Sequence, residues 1–224
     1  MKKAVIIVAA GSGSRMGGEL PKQYLKLHGK PLIIHALERF HHFDPKMKFV
    51  LVLSPAHNDL WEQVAASYGI CKGLTIVMGG ATRYDSVKNG LARIDPATLL
   101  GIHDAARPLV SQHTLLRCYE AAQEKGSGIP VVEMDDSVRM VDAKGGSVHM
   151  ERSSLKRVQT PQVFISDQIK QAYQQPYTSA FTDDASVYET MYGPVSLVEG
   201  NRENIKITTP GDLLLAEMII AAPE

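Results

Sequence analysis

Four clusters of charged and small residues in this chain have the make-up of an anion site. The first is the run AAGSGSRMGGELPK, where Gly11, Gly13, Gly17 and Gly18 are interspersed with small residues, and Arg15 and Lys22 supply positive charge. Glycines let backbone N–H groups approach an anion closely, and two cations beside them favour phosphate. The second cluster, GGATRYDS, holds Gly80, Ala81, Arg83 and Ser86. The third, HDAARP, holds Asp104 and Arg107, and the fourth, NRENIKI, holds Lys206. Each has a purely structural reading when taken singly: a surface turn, a capping acid at Asp104, a surface ion pair at Arg107, a snorkelling lysine at Lys206. As a set, several cations around one acid suit a polyphosphate with a divalent ion. The first run lacks both the GxxxxGK[ST] spacing of a Walker A loop and the GxGxxG spacing of a dinucleotide fingerprint.

The elements that must position these clusters follow a regular rhythm. Apolar runs at 4–8, 49–54, 74–78 and 99–103 predict buried strands. Between and after them, helices are expected at 32–40, 57–68, 83–94 and 111–124, with Pro31 in a first turn, Thr82 as a cap and Asp85 in the turn that follows. The strands are continuously apolar, which is the pattern of a mostly parallel sheet covered on both faces. The expected fold class is therefore α/β, a Rossmann-like three-layer sandwich. Ligands of such sheets bind beyond the carboxyl ends of the strands, and three of the clusters directly follow a predicted strand.

From Gly128 the rhythm changes. After a strand at 129–132, segments 138–141 and 147–150 can pair across a turn at Lys144, Gly145 and Gly146. This hairpin, an arm of about 136–154, carries Val138, Met140, Val148 and Met150, which need cover. A second subunit is the simplest cover, so a homodimer is expected. A strand at 163–165, a helix at 166–174, a helix from a capping Thr182 to residue 192, a strand at 195–198, a short strand at 205–207 holding Lys206, and a helix opened by Pro210 complete one domain over 1–224.

Composition narrows the function classes. The chain has 224 residues with 24 basic and 24 acidic side chains, a balance that argues against non-specific nucleic-acid binding. No apolar run approaches the ~20 residues of a membrane span, and a cytoplasmic location is expected. Cys71 and Cys118 form no disulfide framework or metal-ligand spacing. There is no GxSxG or HExxH. His41 and His42 read as surface residues, and His103 as structural, facing the side of its strand opposite Asp104.

The run 9–24, with GGATRYDSV (79–87), HDAARP (103–108), TPQVF (160–164), TDDASVYE (182–189) and NRENIKITTP (201–210), resembles the 2-C-methyl-D-erythritol 4-phosphate cytidylyltransferases of the non-mevalonate isoprenoid pathway over nearly the whole chain. The resemblance implies that Ala9, Ala10, Gly11, Gly13, Gly80, Ala81, Arg83 and Ser86 surround CTP. It implies that Arg15, Lys22 and Lys206 are the catalytic cations and that Asp104 binds Mg²⁺. Arg107, Ser137, Arg152, Thr160 and Thr182 would serve the methylerythritol phosphate, with Ser137 and Arg152 reaching the neighbouring subunit's site. Members of the family often carry an acid where this chain has Ala81, and a threonine at Ser137. Three alternatives stand beside this reading: a ribitol-5-phosphate cytidylyltransferase, a sugar-1-phosphate nucleotidyltransferase using another base, and a non-catalytic nucleotide-binding protein on the same fold.

Overall fold

The computed structural model describes residues 1–11 and 20–221; Gly13, Arg15, Gly17 and Gly18 lie outside the described residues. Strand β1 (Lys2–Ala9) is followed by a ribbon of β2 (Lys26–Leu27) and β3 (Lys30–Pro31) and by helix α1 (Leu32–Phe43). Then come β4 (Lys48–Leu53), α2 (Asn58–Ala66), β5 (Thr75–Met78), α3 (Arg83–Leu91), β6 (Thr98–Asp104) and α4 (Gln112–Lys125). The second half holds β7 (Ser127–Glu133), the hairpin of β8 (Val138–Val141) and β9 (Ser147–Met150), then β10 (Lys156–Val158) and β11 (Gln162–Ile165). It closes with α5 (Ser166–Ala172), α6 (Asp184–Tyr192), β12 (Leu197–Glu199) and α7 (Pro210–Ala221).

Eight strands form one sheet in the order β10-β7-β11-β6-β1-β4-β5, with β12 added beside β7. The strands β6, β1, β4 and β5 run parallel. Strand β11 is antiparallel to both β6 and β7. Alternate side chains divide the central strands between two helical layers. Val5, Ile7, Leu51 and Leu53 pack against α1 and α4 through Ile34, Leu37, Phe40, Leu115 and Tyr119. Ala4, Ile6, Val50 and Val52 pack on the other face against Val87 and Leu91 of α3 and residues of α5 and α6. Burial on both faces is why these strands read as unbroken apolar runs, and it makes the three-layer sandwich expected from the sequence.

Several local expectations are corrected. Residues 205–207 form no strand: the Ile205 amide bonds to Glu203 and the Ile207 amide to the Ala106 carbonyl at 2.8 Å, so the segment lies on the loop after β6 instead of joining a ladder. The cap of α6 is Asp183, not Thr182, because the Asp183 carboxylate accepts the Ser186 amide at 2.8 Å while Ser186 Oγ accepts the Asp183 amide. Helix α3 ends at Leu91, where 3₁₀-type bonds from Arg93 and Ile94 close the last turn. Pro31 stands at the cap position before α1 and pairs with Lys26 in the ribbon. Helix α1 runs on to Phe43, and His41 and His42 in its last turn are exposed as expected.

The hairpin arm forms with the expected pairs, Val138 opposite Met150 and Met140 opposite Val148. Its turn is closed by Asp142 Oδ1, which accepts the amides of Lys144 and Gly146 at 2.8 and 2.9 Å. Met140, Val141 and Val148 are each more than half exposed on it. No helix among the described residues is long and apolar enough to cross a membrane.

Strand β7 and helix α4 meet at a glycine: a Cβ on Gly128 would lie 2.1 Å from the Cys118 carbonyl oxygen, with no flexible side chain able to yield. Gly128→Ala is expected to cost about 2–3 kcal/mol of stability by overpacking, read as a lower urea midpoint with an unchanged slope.

Candidate active site

A cavity of about 410 Å³ opens at the carboxyl end of β1. Strand β1 lies between β4, which follows it in the parallel series, and β6, which returns to its other side. That is the switch point where open α/β sheets bind ligands. Ala9, Ala10, Gly11, Lys22, Gly80, Ala81, Arg83, Ser86, Asp104 and Lys206, all singled out in the sequence, line the cavity together. The ends of β1 and β6 are tied by a bond from the Ala105 amide to the Val8 carbonyl at 3.0 Å.

Asp104 ends β6 on the cavity floor with its side chain 11% exposed. Its Oδ2 takes Lys206 Nζ at 2.6 Å and its Oδ1 takes Arg83 Nε at 3.3 Å. Burial by itself would raise the pKa of this carboxyl; the charges of Arg83 and Lys206 outweigh burial and hold it well below the usual carboxylate range. Asp104 is therefore ionised at neutral pH. Arg83 spends its other nitrogens on Asp184, with Nη1 and Nη2 donating to Oδ1 and Oδ2 at 2.9 and 2.7 Å. Asp184 is fully buried and also accepts from Tyr173 Oη at 2.6 Å.

Another wall of the cavity is the start of α3. Thr82 and Asp85 form a reciprocal capping box there. Ser86 Oγ accepts the Gly80 amide at 3.1 Å and donates to the Thr82 carbonyl at 2.9 Å, so this serine shapes the GGAT turn. The turn admits no larger residue, because a Cβ on Gly80 would lie 2.3 Å from Asp85 Cβ.

Beneath the floor lies a buried polar layer. Thr160 Oγ1 accepts the Asp104 amide at 3.1 Å and faces His103 Nδ1 at 3.0 Å. His103 Nε2 is 3.0 Å from the Arg107 carbonyl, which can only accept, so Nε2 carries the proton and Nδ1 accepts from Thr160. Burial lowers the His103 pKa to about 4, keeping this single neutral tautomer. Arg107 donates from Nη1 to the Asn204 carbonyl at 2.7 Å, and its Nε is buried without a partner among the described residues.

The remaining predicted residues stand outside the cavity lining. Thr160 and Arg107 lie in that buried layer, and Thr182 is exposed just before α6. Ser137 and Arg152 are exposed at the two ends of the arm, with Arg152 Nη1 donating to the Asp135 carbonyl at 2.7 Å. Gln23 and Asp184 have no role that the sequence alone marks. Gln23 is 2% exposed and donates to the Ala9 carbonyl at 2.7 Å, fixing the strand end where the glycine run starts. No periodicity or motif marks an isolated buried amide, and Asp184 reads as an ordinary first-turn acid.

The described lining contains no histidine or cysteine, and no group of three or more His, Cys, Asp or Glu among the described residues can hold a metal by itself. A cavity with two lysines and an arginine around one ionised carboxylate has the charge make-up of an anion site. The cleft lies at the switch point of an α/β sheet, where such folds bind their ligands.

The model of the 2-C-methyl-D-erythritol 4-phosphate cytidylyltransferase family matches residues 3–222, and the chain belongs to that family. The protein of that name from Phocaeicola vulgatus is 49% identical over 220 residues, 98% of this chain and 100% of that one. Among solved structures, 4-diphosphocytidyl-2C-methyl-D-erythritol synthase from Anaerococcus prevotii is similar with a TM-score of 0.85 at 26% identity, covering 99% of this chain and 96% of that one. 2-C-methyl-D-erythritol 4-phosphate cytidylyltransferase from Thermus thermophilus gives a TM-score of 0.79 at 30% identity, covering 99% and 100%.

Gln23→Ala removes one buried hydrogen bond and leaves a small void, and is expected to lower stability by about 1–3 kcal/mol. Chemical denaturation of the two proteins checks this.

Proposed function

We propose that this chain transfers the cytidylyl group of CTP to 2-C-methyl-D-erythritol 4-phosphate, giving 4-diphosphocytidyl-2-C-methyl-D-erythritol and pyrophosphate. The observation that carries the reading is a cavity whose described lining supplies cations and one ionised carboxylate but no histidine or cysteine. Such a site suits a reaction whose nucleophile arrives with the substrate. The acceptor's phosphate oxygen, already ionised near neutral pH, forms the new bond to the α-phosphorus of CTP. The bond from that phosphorus to the bridging oxygen of the β-phosphate breaks, and pyrophosphate leaves in line.

The chain's own residues bring two anions together and offset the charge that shifts between them. Lys22 and Lys206, both in the lining, do this, and Arg15 is assigned to the same task. The small residues Ala9, Ala10, Gly11, Gly80 and Ala81 give the base a narrow slot that favours a pyrimidine over a purine. Gly13 is assigned to CTP binding as well. A divalent ion fits the donor set: one carboxylate kept ionised beside an anion cavity suits Mg²⁺, which completes its shell with phosphate oxygens and water. Asp104 would hold it together with the phosphates of CTP, and it would supply positive charge at the α-phosphate.

The acceptor side is assigned to Arg107, Thr160 and Thr182, completed by Ser137 and Arg152 from the arm of a second copy. Arg107 and Thr160 serve by shaping the floor around Asp104. The exposed apolar residues of the arm support a homodimer through this hairpin, since Met140, Val141 and Val148 are left more than half exposed among the described residues. Neither a nucleic acid nor a membrane belongs to this reading.

Pyrophosphate release with CTP and Mg²⁺, run in parallel with 2-C-methyl-D-erythritol 4-phosphate and D-ribitol 5-phosphate, tests it; ATP, GTP and UTP serve as nucleotide controls. Turnover is expected with CTP and the methylerythritol substrate, and turnover with ribitol phosphate alone would replace the proposed acceptor. Lys22→Ala is expected to lower kcat by about 100-fold or more, the scale of losing one charge-stabilising donor. Arg152→Ala should raise KM for the acceptor more than for CTP, and equal rises would sink its acceptor-side role.

A further inference from the structure

We propose that Asp184 is a positioning residue: it holds Arg83 so that this arginine orients the Asp104 carboxylate and does not bind the phosphates of the nucleotide. The inference deepens the cytidylyltransferase reading and rests on it.

Arg83 lies in the cavity wall with 30% of its side chain exposed, where an uncommitted guanidinium would be an additional phosphate ligand. Its fork is closed instead. Both Nη atoms meet both oxygens of Asp184, and only the Nε edge is left to face Asp104 Oδ1 at 3.3 Å. A two-point guanidinium–carboxylate contact fixes the plane as well as the distance, which a lysine could not do. Asp184 is fully buried, and a buried carboxylate is costly unless charge and hydrogen bonds satisfy it. Here Arg83 and the Tyr173 hydroxyl do so. A pair kept at that desolvation cost, with one member in a substrate cavity, points to a geometric task.

The anchor of the pair is itself fixed. Gln162, buried on β11, accepts the Ala185 amide at 2.8 Å and donates to Asp183 Oδ2 at 2.7 Å, which pins the start of α6 to the sheet. Register then does the rest, since Gln162 lies opposite Ile102 on β6, two residues before Asp104. Asp184, Arg83 and Asp104 are thereby set against one another through the sheet. The charges also balance: Arg83 and Lys206 face Asp184 and Asp104. Without the Asp184 charge, the Arg83 fork is released to grip Asp104 or the triphosphate, and in either place it competes with a divalent ion.

The test compares Asp184→Asn, Arg83→Gln and the double variant, which replaces the ion pair with a neutral one and so avoids a stranded buried charge. Two readouts are used: steady-state kinetics, and Mn²⁺ titration in the presence of CTP followed by electron paramagnetic resonance, which needs no turnover. For a positioning role, each single variant lowers kcat by about ten-fold or more with KM for CTP within about two-fold, and Mn²⁺ binds correspondingly more weakly. The double variant should be no worse than Arg83→Gln alone, because the two residues act as one unit. A rise of about ten-fold or more in KM for CTP with Arg83→Gln or with the double variant makes Arg83 a phosphate ligand and overturns the inference. So does unchanged Mn²⁺ affinity in the double variant. Absence of turnover in the wild-type protein would refute the cytidylyltransferase reading, while the Mn²⁺ titration would still decide the role of Asp184. Wild-type turnover matched by the variants would refute the positioning role alone.

Discussion

A carboxylate at the end of a buried strand can stay ionised only if the chain brings it positive charge, and Asp104 imposes that requirement on much of this molecule. It ends β6 nine-tenths shielded from water, with Lys206 on one oxygen and Arg83 on the other. Each partner needs its own support. The segment carrying Lys206 is held by the bond from the Ile207 amide to Ala106, and by Ile207 buried with Leu27, Leu32 and Leu109. Arg83 is held by Asp184. The Asp104 amide is satisfied by Thr160, which is steadied in turn by a neutral His103. Loops that appear unrelated along the chain are thus members of one electrostatic arrangement.

The sheet explains why that arrangement sits where it does. Parallel strands send their carboxyl ends to one edge, and strands buried on both faces place their last residues in reproducible positions. Val8 and Asp104 are partners across β1 and β6. The cavity therefore opens between two rigid strand ends, with the start of α3 as a third wall. Rigid elements supply the positions, and the residues at their ends together with the adjoining loops supply the chemistry.

Much of this was legible in the sequence, for identifiable reasons. The runs that became β1, β4, β5 and β6 are apolar without interruption because helices cover both faces, and that pattern survives in one dimension. Arg83, Asp104 and Lys22 stood out because each follows a strand end. Lys206 is legible as a residue, but the strand that the composition of IKI suggests does not form, because the Ile205 and Ile207 amides bond to a turn and a loop. Thr182 precedes two acids as a cap would, but the neighbouring Asp183 carboxylate takes the role. Periodicity carries no direction, so the reversal of β11 within a parallel sheet left no mark. Asp184 was illegible for a different reason. Its burial depends on an arginine 101 residues away, and nothing near it in sequence records that partner.

The placement of Lys206 has a further consequence, for biosynthesis. The cavity combines Ala9 and Lys22 with Arg83, Asp104 and Lys206, residues spread over most of the chain. A ribosome-bound chain that has emerged through α4 already possesses β1, β4, β5 and β6, enough to zip the parallel core, but Asp104 then has neither its lysine nor the Asp184 that disciplines its arginine. The parallel strands β1, β4, β5 and β6 are made first, and the charge arrangement is complete only after the segment beyond β12 has reached the loop after β6. Chain order thereby separates the parallel strands from the completed site, and the face of the core that α5 and α6 cover is finished in the same late stage.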